Sequence, residues 1–206
     1  MEVYIIGCGG NSKVVVDICD LRGYRIMGFF DDRYRGVPIV VYGDHRVIGT
    51  IADMTNFPGI NVINSIGDNR VRKRICESGV TVRWINCVHP QAHISPTARM
   101  GEGNVVCHGA VINSDAVVGS FNLVNTYSIV EHDCRVGDFN HLAPRTTLCG
   151  GITVGDLNLV GAGATILPGK RLGHGNVIGA MSVVLDDIVD GCVVVGIPGR
   201  VKKSSL

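Results

Sequence analysis

Residues 92 to 187 read AHISPT ARMGEG NVVCHG AVINSD AVVGSF NLVNTY SIVEHD CRVGDF NHLAPR TTLCGG ITVGDL NLVGAG ATILPG KRLGHG NVIGAM SVVLDD, which is sixteen hexads in a row without an insertion. The third residue of every hexad is aliphatic or Met. A period of six fits neither a helix of about 3.6 residues per turn nor a plain alternating strand. It predicts a parallel β-helix, in which each hexad forms one side of a triangular coil and its third residue points inward. The first residue, mostly small or polar, is expected near a corner.

Five glycines recur within this array at a spacing of eighteen residues, the length of a coil of three hexads. They are Gly101, Gly119, Gly137, Gly155 and Gly173. We expect them on one repeated corner in a left-handed backbone conformation, which glycine adopts most easily. A prism this short also carries apolar residues on its flat outer walls, so we expect a homotrimer that buries a wall and places its sites between subunits.

The first 88 residues follow a different pattern, in which short apolar runs alternate with helical segments. Strands are predicted at residues 3–6, 25–30, 60–66 and 80–85, and helices at residues 13–21 and 70–77, with Asn11 or Ser12 as the first N-cap. We assign no element to residues 33–58. The βαβαβ order predicts a small Rossmann-like parallel sheet. The chain therefore divides into an α/β domain, residues 1–88, and a left-handed β-helix domain, residues 89–206.

Composition excludes several classes of function. The net charge is +1 and aromatic residues make up 5% of the chain, which argues against nucleic acid or a membrane surface as a partner. No window reaches the roughly 18 uninterrupted apolar residues of a membrane span, and the first residues do not resemble a signal peptide, so we expect a cytoplasmic protein. The eight cysteines contain no C-x-x-C pair and the seven histidines do not cluster. We therefore expect buried thiols and no metal site.

Two histidines interrupt the apolar and small residues of the hexad array. His132 has a carboxylate on each side, Glu131 and Asp133, and His141 follows nine residues later. A carboxylate next to an imidazole fixes its tautomer and favours the imidazolium, which suits a general base. The fifth position of a hexad lies near a corner, so His132 can point outward into a cleft. The alternative at this point is an ordinary surface histidine.

Four short motifs occur in order along the chain: Gly-Cys-Gly-Gly at residues 7–10, Phe-Asp-Asp at 30–32, Ile-Gly-Asp-Asn at 66–69 and Glu-His-Asp-Cys at 131–134. With the hexads, they make the chain resemble the sugar acyltransferases of the sialic-acid O-acetyltransferase type. The most similar branch N-acetylates nucleotide-linked 4-amino-4,6-dideoxy sugars of the bacillosamine and perosamine pathways. The resemblance implies acetyl-CoA as co-substrate and direct transfer to the sugar amine.

The resemblance also implies roles for individual residues. His132 would be the base and Asp133 would orient it. Asn125 would contact the sugar, and His141 would line the acetyl-CoA side. We further assign acetyl-CoA binding to Gly150, Gly151, Ala162 and Ala180, with a backbone N–H near Gly150 and Gly151 as the oxyanion donor. One departure is Arg145, where the family commonly has a small residue. This difference leaves the identity of the sugar open, but not the class of reaction.

The nucleotide is expected on the N-terminal domain. The Gly-rich turn precedes a helix whose N-terminus can hold a diphosphate, although Ser12 stands where the dinucleotide fingerprint needs a third glycine. Asp31 and Asp32 end a strand at the edge where open α/β sheets bind ligands. The predicted substrate-binding residues are Gly9, Gly10, Asn11, Ser12, Asp31, Asp32, Gly67, Asp68, Asn69 and Asn125. The resemblance favours a UDP-sugar over a GDP- or dTDP-sugar.

Three alternatives stay open at this point. An O-acetyltransferase acting on a sugar hydroxyl would use the same base. A zinc enzyme of the carbonic anhydrase type would need three converging histidines, and the spacing of His132 and His141 does not provide two of them. A non-catalytic scaffold that binds a sugar nucleotide would not depend on His132.

Overall fold

The computed structural model describes residues 1–37 and 39–204. It consists of an N-terminal α/β part and a triangular prism of parallel β-strands. Both the Rossmann-like sheet and the parallel β-helix that the hexads predict are confirmed. No helix in the described ranges is long and apolar enough to cross a membrane.

The N-terminal part is built on a six-stranded sheet in the order β3-β4-β2-β1-β5-β6, parallel except for the antiparallel β3–β4 pair. Its elements are β1 Glu2–Ile6, α1 Gly10–Leu21, β2 Arg25–Phe30, β3 Ile39–Val41, β4 His45–Gly49, a 3₁₀ helix Ala52–Asn56, β5 Asn61–Asn64, α2 Asn69–Cys76 and β6 Arg83–Trp84. Strands β3 and β4 and the 3₁₀ helix lie in residues 33–58, the region that the sequence left unassigned.

Both helix starts differ from the predicted ones. Helix α1 begins three residues earlier, at Gly10, with Gly9 as its N-cap, so neither Asn11 nor Ser12 caps it. Helix α2 begins at Asn69, and the Asp68 carboxylate caps it by accepting a hydrogen bond from the Val71 N–H at 2.8 Å. Asp68 is thus a structural cap in addition to being a predicted site residue.

The prism has three walls. Wall 1 contains β7 Cys87–Val88, β10 Val105–Val106, β13 Leu123–Val124, β16 His141–Leu142, β19 Leu159–Val160, β22 Val177–Ile178 and β24 Cys192–Val195, closed by the antiparallel β25 Arg200–Ser204. Wall 2 contains β8 His93–Ile94, β11 Val111–Ile112, β14 Ile129–Val130, β17 Thr147–Leu148, β20 Thr165–Ile166 and β23 Val183–Val184. Wall 3 contains β9 Arg99–Met100, β12 Val117–Val118, β15 Arg135–Val136, β18 Thr153–Val154 and β21 Arg171–Leu172. The corners are named by the walls they join, in chain order: the 1–2, 2–3 and 3–1 corners.

The interior is filled by the first and third residues of the hexads. From Val106 onward every third-position residue is buried, and together they form one continuous apolar cluster. First-position asparagines form a buried ladder in which each side-chain oxygen accepts the backbone N–H of the next coil at 2.8 Å, as Asn104 does from Asn122. The ladder satisfies backbone N–H groups and side-chain oxygens that would otherwise be buried without partners, while Nδ2 of Asn140 is left unpaired.

The predicted left-handed conformation of Gly101, Gly119, Gly137, Gly155 and Gly173 is wrong. The left-handed residue of each hexad is instead the sixth, at every hexad end from Gly103 to Met181. The five glycines are required because the next coil packs directly on them. A Cβ at Gly119 would overlap the Asp138 carboxylate, which accepts the Ser120 N–H, and would approach the Gly137 carbonyl to 2.8 Å.

The two parts share one apolar cluster. Outward-facing residues of the first rungs of wall 1, Cys87, Val105 and Leu123, are buried together with Val15 and Ile18 of α1. The next rungs of wall 1 stay outside this contact, and Leu159 and Val177 are 38% and 40% exposed. The α/β part therefore covers one end of wall 1 and forms a step where the open end begins.

Candidate functional site

His132 lies on the 2–3 corner, between strands β14 and β15. Its Nδ1 is 2.8 Å from the Asp133 Oδ2, and its side chain is 64% exposed. The hydrogen bond that Nδ1–H donates to the Asp133 carboxylate is the main reason why the pKa of His132 is raised above its ordinary 6.5, against a smaller opposing effect of desolvation. Because Asp133 engages Nδ1, the free basic atom of the neutral ring is Nε2.

Glycine at position 150 makes room for this imidazole. A Cβ there would lie 2.7 Å from both Nε2 and Cε1 of His132, so the reactive edge of the ring lies directly over Gly150. The Gly151 N–H is committed to the His132 carbonyl at 2.9 Å. The Gly150 N–H, by contrast, has no hydrogen-bond acceptor within the part of the chain that the structure describes. Of the two predicted oxyanion donors, Gly150 is therefore the available one.

A second carboxylate supports the same corner. Glu131 Oε2 accepts hydrogen bonds from Asn113 Nδ2 at 2.9 Å and from the His132 N–H at 3.3 Å. Asn113 was not identified from the sequence, although its distance of eighteen residues from Glu131 places it one coil away. The nearby Cys134 and Cys149 are poor nucleophiles, since burial raises the pKa of both thiols.

His141 lies on wall 1, at the step beside the α/β part. Its Nε2 is 3.4 Å from Nδ2 of Asn125, whose Oδ1 accepts the Thr126 N–H at 2.8 Å. Desolvation, followed by the positive charge of Arg72, lowers the pKa of His141 to about 4, although a hydrogen bond to the backbone of Gly67 opposes the shift. The ring is therefore neutral near pH 7.

A cleft of about 390 Å³ opens at this step. It is lined by Gly67, Asp68, Asn69, Arg70, His141, Leu157, Leu159, Gly175 and Val177. Asn69 is held by its own contacts: Nδ2 donates to the Asn158 carbonyl and Oδ1 accepts from Arg72. The predicted residues at 67–69 thus form the rim of the cleft next to His141.

The Gly-rich turn is open above Gly9 and Gly10, where a Cβ would meet nothing within 4 Å. Ser12 is buried, and its hydroxyl donates to the Gly7 carbonyl at 2.8 Å and contacts Ser65. The Ser12 side chain is therefore not exposed to a ligand. Asn11 packs against Gly67, where a Cβ would lie 2.5 Å from its Nδ2.

The two aspartates after β2, Asp31 and Asp32, lie in different surroundings. Asp31 accepts the Cys8 N–H at 2.9 Å and pairs with Arg33 at 3.0 Å. Burial opposes its ionisation, but these hydrogen bonds outweigh it and hold the pKa of Asp31 well below its usual range. Asp32 borders a cavity of about 520 Å³. That cavity is also lined by Ile51, Ala52, Thr55, Val71, Arg74, Ile75, Ser78 and Val80.

A single chain does not bring all the predicted site residues together. His132, Asp133, Gly150 and Gly151 share the 2–3 corner, whereas His141 lies on wall 1. Ala162 and Ala180 are exposed on the 1–2 corner. No group of three or more His, Cys, Asp or Glu side chains that could hold a metal occurs in the described ranges.

Comparisons with known proteins agree with this architecture. Residues 2–78 match the PglD N-terminal domain family. The chain is 33% identical over 118 residues to UDP-N-acetylbacillosamine N-acetyltransferase of Bacillus subtilis, covering 51% of this chain and 50% of that protein. It spans 23% and 50% of the lengths of the curated relatives that it matches.

Solved structures match over almost the whole chain. A variant of perosamine N-acetyltransferase from Caulobacter crescentus, in complex with CoA and GDP-perosamine, is 32% identical with a TM-score of 0.92 and covers 98% of this chain and 97% of that one. The acetyltransferase domain of PglB from Neisseria gonorrhoeae, in complex with acetyl coenzyme A, is 32% identical with a TM-score of 0.90 and covers 97% and 98%. The chain therefore belongs to the β-helix sugar N-acetyltransferase family, in the branch that contains the bacillosamine and perosamine enzymes.

Proposed function

We propose that this protein transfers the acetyl group of acetyl-CoA to the 4-amino group of a nucleotide-linked 4-amino-4,6-dideoxy sugar. The observation that carries the proposal is the exposed His132, held by Asp133 with its Nε2 above Gly150. Relatives that bind CoA together with GDP-perosamine, or acetyl coenzyme A, support the two substrates.

In the proposed reaction the neutral His132 removes a proton from the sugar amine through Nε2 as the amine attacks the thioester carbonyl. Asp133 stabilises the imidazolium that forms. The Gly150 N–H donates to the oxyanion of the tetrahedral intermediate. Collapse of the intermediate expels CoA as its thiol, which takes up the proton from His132, so no covalent acyl-enzyme forms.

We infer a division of labour between the two parts. The α/β part would hold the nucleotide, and the β-helix, whose first strand is β7, would hold acetyl-CoA. The open N-terminus of α1 at Gly9 and Gly10 suits a diphosphate. The cavity beside Asp32 has room for a nucleoside, with Arg74 and Thr55 as polar contacts. A UDP-sugar is the preferred substrate class, with GDP- and dTDP-sugars next.

We further propose a homotrimer whose sites lie between subunits. His132 and His141 occupy different faces of one prism, so both can border the same thioester only if two chains contribute. The open end of wall 1, with Leu159 and Val177 exposed beside His141, offers apolar area for such a contact.

The reaction is tested by thiol release from acetyl-CoA against a panel of UDP-, GDP- and dTDP-linked 4-amino-4,6-dideoxy sugars, with the corresponding 4-hydroxy sugars as controls. We expect turnover with the amines only. Turnover confined to hydroxyl acceptors would replace N-acetylation by O-acetylation, and no turnover with any acceptor would remove the proposal.

The shared site is tested by mixing subunits. His132→Ala and His141→Ala chains carrying different tags are co-expressed, and mixed oligomers are purified through both tags. A site built from two chains regains up to about one third of wild-type turnover, since one of three interfaces in a mixed trimer has both histidines. A site contained in one chain regains none, and light scattering reports the oligomeric state independently.

A further inference from the structure

Arg72 is a buried cation without a carboxylate partner. Its side chain is only 2% exposed, and no ion pair involves it within the described ranges. A guanidinium in such a place destabilises the fold unless its N–H groups find acceptors. The acceptors are Phe121 O, Ile66 O, Gly67 O, Asn69 Oδ1, Phe139 O and Asn140 O, at 2.8 to 3.3 Å.

These acceptors come from two parts of the molecule. Ile66, Gly67 and Asn69 belong to the α/β part, and the last two lie on the rim of the cleft. Phe121 and Phe139 are left-handed residues of the 3–1 corner, and Asn140 directly precedes His141. The guanidinium therefore ties the rim to the rung that carries His141, with each N–H group pointing at a fixed carbonyl or amide oxygen.

The tautomer of His141 follows from the hydrogen bonds around its ring. The Asn125 side chain turns its Nδ2 toward the ring because its Oδ1 is occupied by the Thr126 N–H. His141 Nε2 must then be an acceptor, and the ring proton belongs on the other nitrogen. Among the described residues that line the cleft or affect the ring, the charged ones are Asp68, the N-cap of α2, and Arg70 and Arg72 in its first turn. Its neighbours along wall 1, Leu123 and Leu159, are apolar.

We propose that Arg72 is a positioning residue for His141: by holding the Gly67 and Asn140 carbonyls, it keeps the imidazole turned with Nε2 toward Asn125. The effect of Arg72 on His141 does not depend on a bound substrate or on a second subunit. Its importance for turnover rests on the proposed function, in which His141 borders the acetyl-CoA site. The consequence is a separation of roles: the pKa of His132 is raised above 6.5 by Asp133, whereas His141 stays uncharged near pH 7 beside the thioester.

The test is a ¹⁵N NMR titration of the imidazoles in the full-length protein, with the His141 signals assigned by their loss in His141→Gln. In the wild type we expect one neutral tautomer with a midpoint near 4. In Arg72→Gln we expect the midpoint to rise toward the ordinary value, because the second of the two causes that lower it is lost, and we expect the tautomers to mix. Lys73→Gln removes a charge from a neighbouring, half-buried position of α2, where Lys73 pairs with Glu77, and is the matched control.

Arg72→Lys covers the case in which Arg72→Gln does not fold. It keeps the charge but loses the planar fork, so we expect a low midpoint with mixed tautomers. An unchanged midpoint and a single tautomer in a folded Arg72→Gln, or a single tautomer in Arg72→Lys, would overturn the proposal. Thiol release by the wild type separates this result from the proposed function. If Arg72→Gln changes the midpoint and tautomer of His141 but the wild type acetylates no acceptor, the positioning role stands and the proposed function fails. If the wild type acetylates an acceptor but Arg72→Gln leaves the midpoint and tautomer of His141 unchanged, the positioning role is rejected.

Discussion

The 2–3 corner and the open end of wall 1 present the same side chain in opposite surroundings. His132 on the corner is exposed and paired with a carboxylate, which raises its pKa. His141 on the wall lies near a guanidinium, and burial lowers its pKa to about 4. The difference shows that nine residues of a regular repeat are enough to separate a histidine with a raised pKa from one that is neutral near pH 7. Titratable groups whose pKa values are pushed apart usually have separate roles.

The first test removes His132, the proposed base. We expect His132→Ala to lower kcat by about 10²- to 10⁴-fold, because proton removal from the amine loses its acceptor. Binding of the sugar nucleotide should be retained, since the α/β part is unchanged. Steady-state kinetics and calorimetric titration of the nucleotide sugar measure the two effects. A kcat within a factor of two of the wild type would remove His132 from the mechanism.

The second test displaces the base without removing it. Gly150→Ala places a Cβ 2.7 Å from Nε2 of His132, and the exposed ring must turn away. A shift of about 1 Å can cost roughly 10²-fold in rate, so we expect a large loss of kcat with little change in stability. Thermal unfolding provides the control. Normal turnover by a folded Gly150→Ala protein would show that the ring position over Gly150 is not the reactive one.

The third test changes the pKa of the base. His132 must be neutral to accept a proton, so activity falls as the pH drops through its pKa, and this acid limb should lie above 6.5 in the wild type. Asp133→Asn removes the main cause of the raised pKa, so the limb should move to lower pH while the maximal kcat decreases. The pH profile of kcat measures both. A limb that stays in place would assign it to another group.

The smallest effect concerns the corner backbone itself. Arg145 occupies the left-handed sixth position of its hexad, at a φ of 62°. Glycine removes this strain, so we expect Arg145→Gly to raise the free energy of unfolding by about 1 kcal/mol, which is a Tm increase of roughly 2–4 °C for a chain of this size. Thermal denaturation measures it. A decrease would mean that the Arg145 side chain makes a stabilising contact, for example between subunits.

Much of the fold could be predicted from residue types because the repeat is strict. An inward-pointing residue that must stack on its equivalents in adjacent coils has to be apolar in every hexad, and it is. The prediction for the five glycines spaced eighteen residues apart was wrong for a related reason. Spacing shows that position 119 must be glycine but does not distinguish a left-handed backbone from the overlap with Asp138 that the structure shows. The left-handed sixth position was hidden because Phe, Arg, Leu and Met occupy it as well as glycine.

The site was only partly predictable. His132 and Asp133 are neighbours in the chain, so their contact could be expected, and it is present. Ser12 and Asp31 looked equally suited to a ligand, yet one is buried and the other holds Cys8 and Arg33. Arg72 gave no signal among the basic residues of α2, because only the packing of that helix on the 3–1 corner buries it.

The amino-acid sequence alone determined the prism, its register and the corner on which His132 lies, because these depend on a local period that repeats through sixteen hexads. The packing of the two parts sets which polar side chains face a cleft and makes His141 neutral. These properties arise where the α/β part meets the β-helix, between residues such as Arg72 and Asn140 that are 68 positions apart. Burial and charge at such a contact depend on how two surfaces pack, and no periodicity in the chain encodes that.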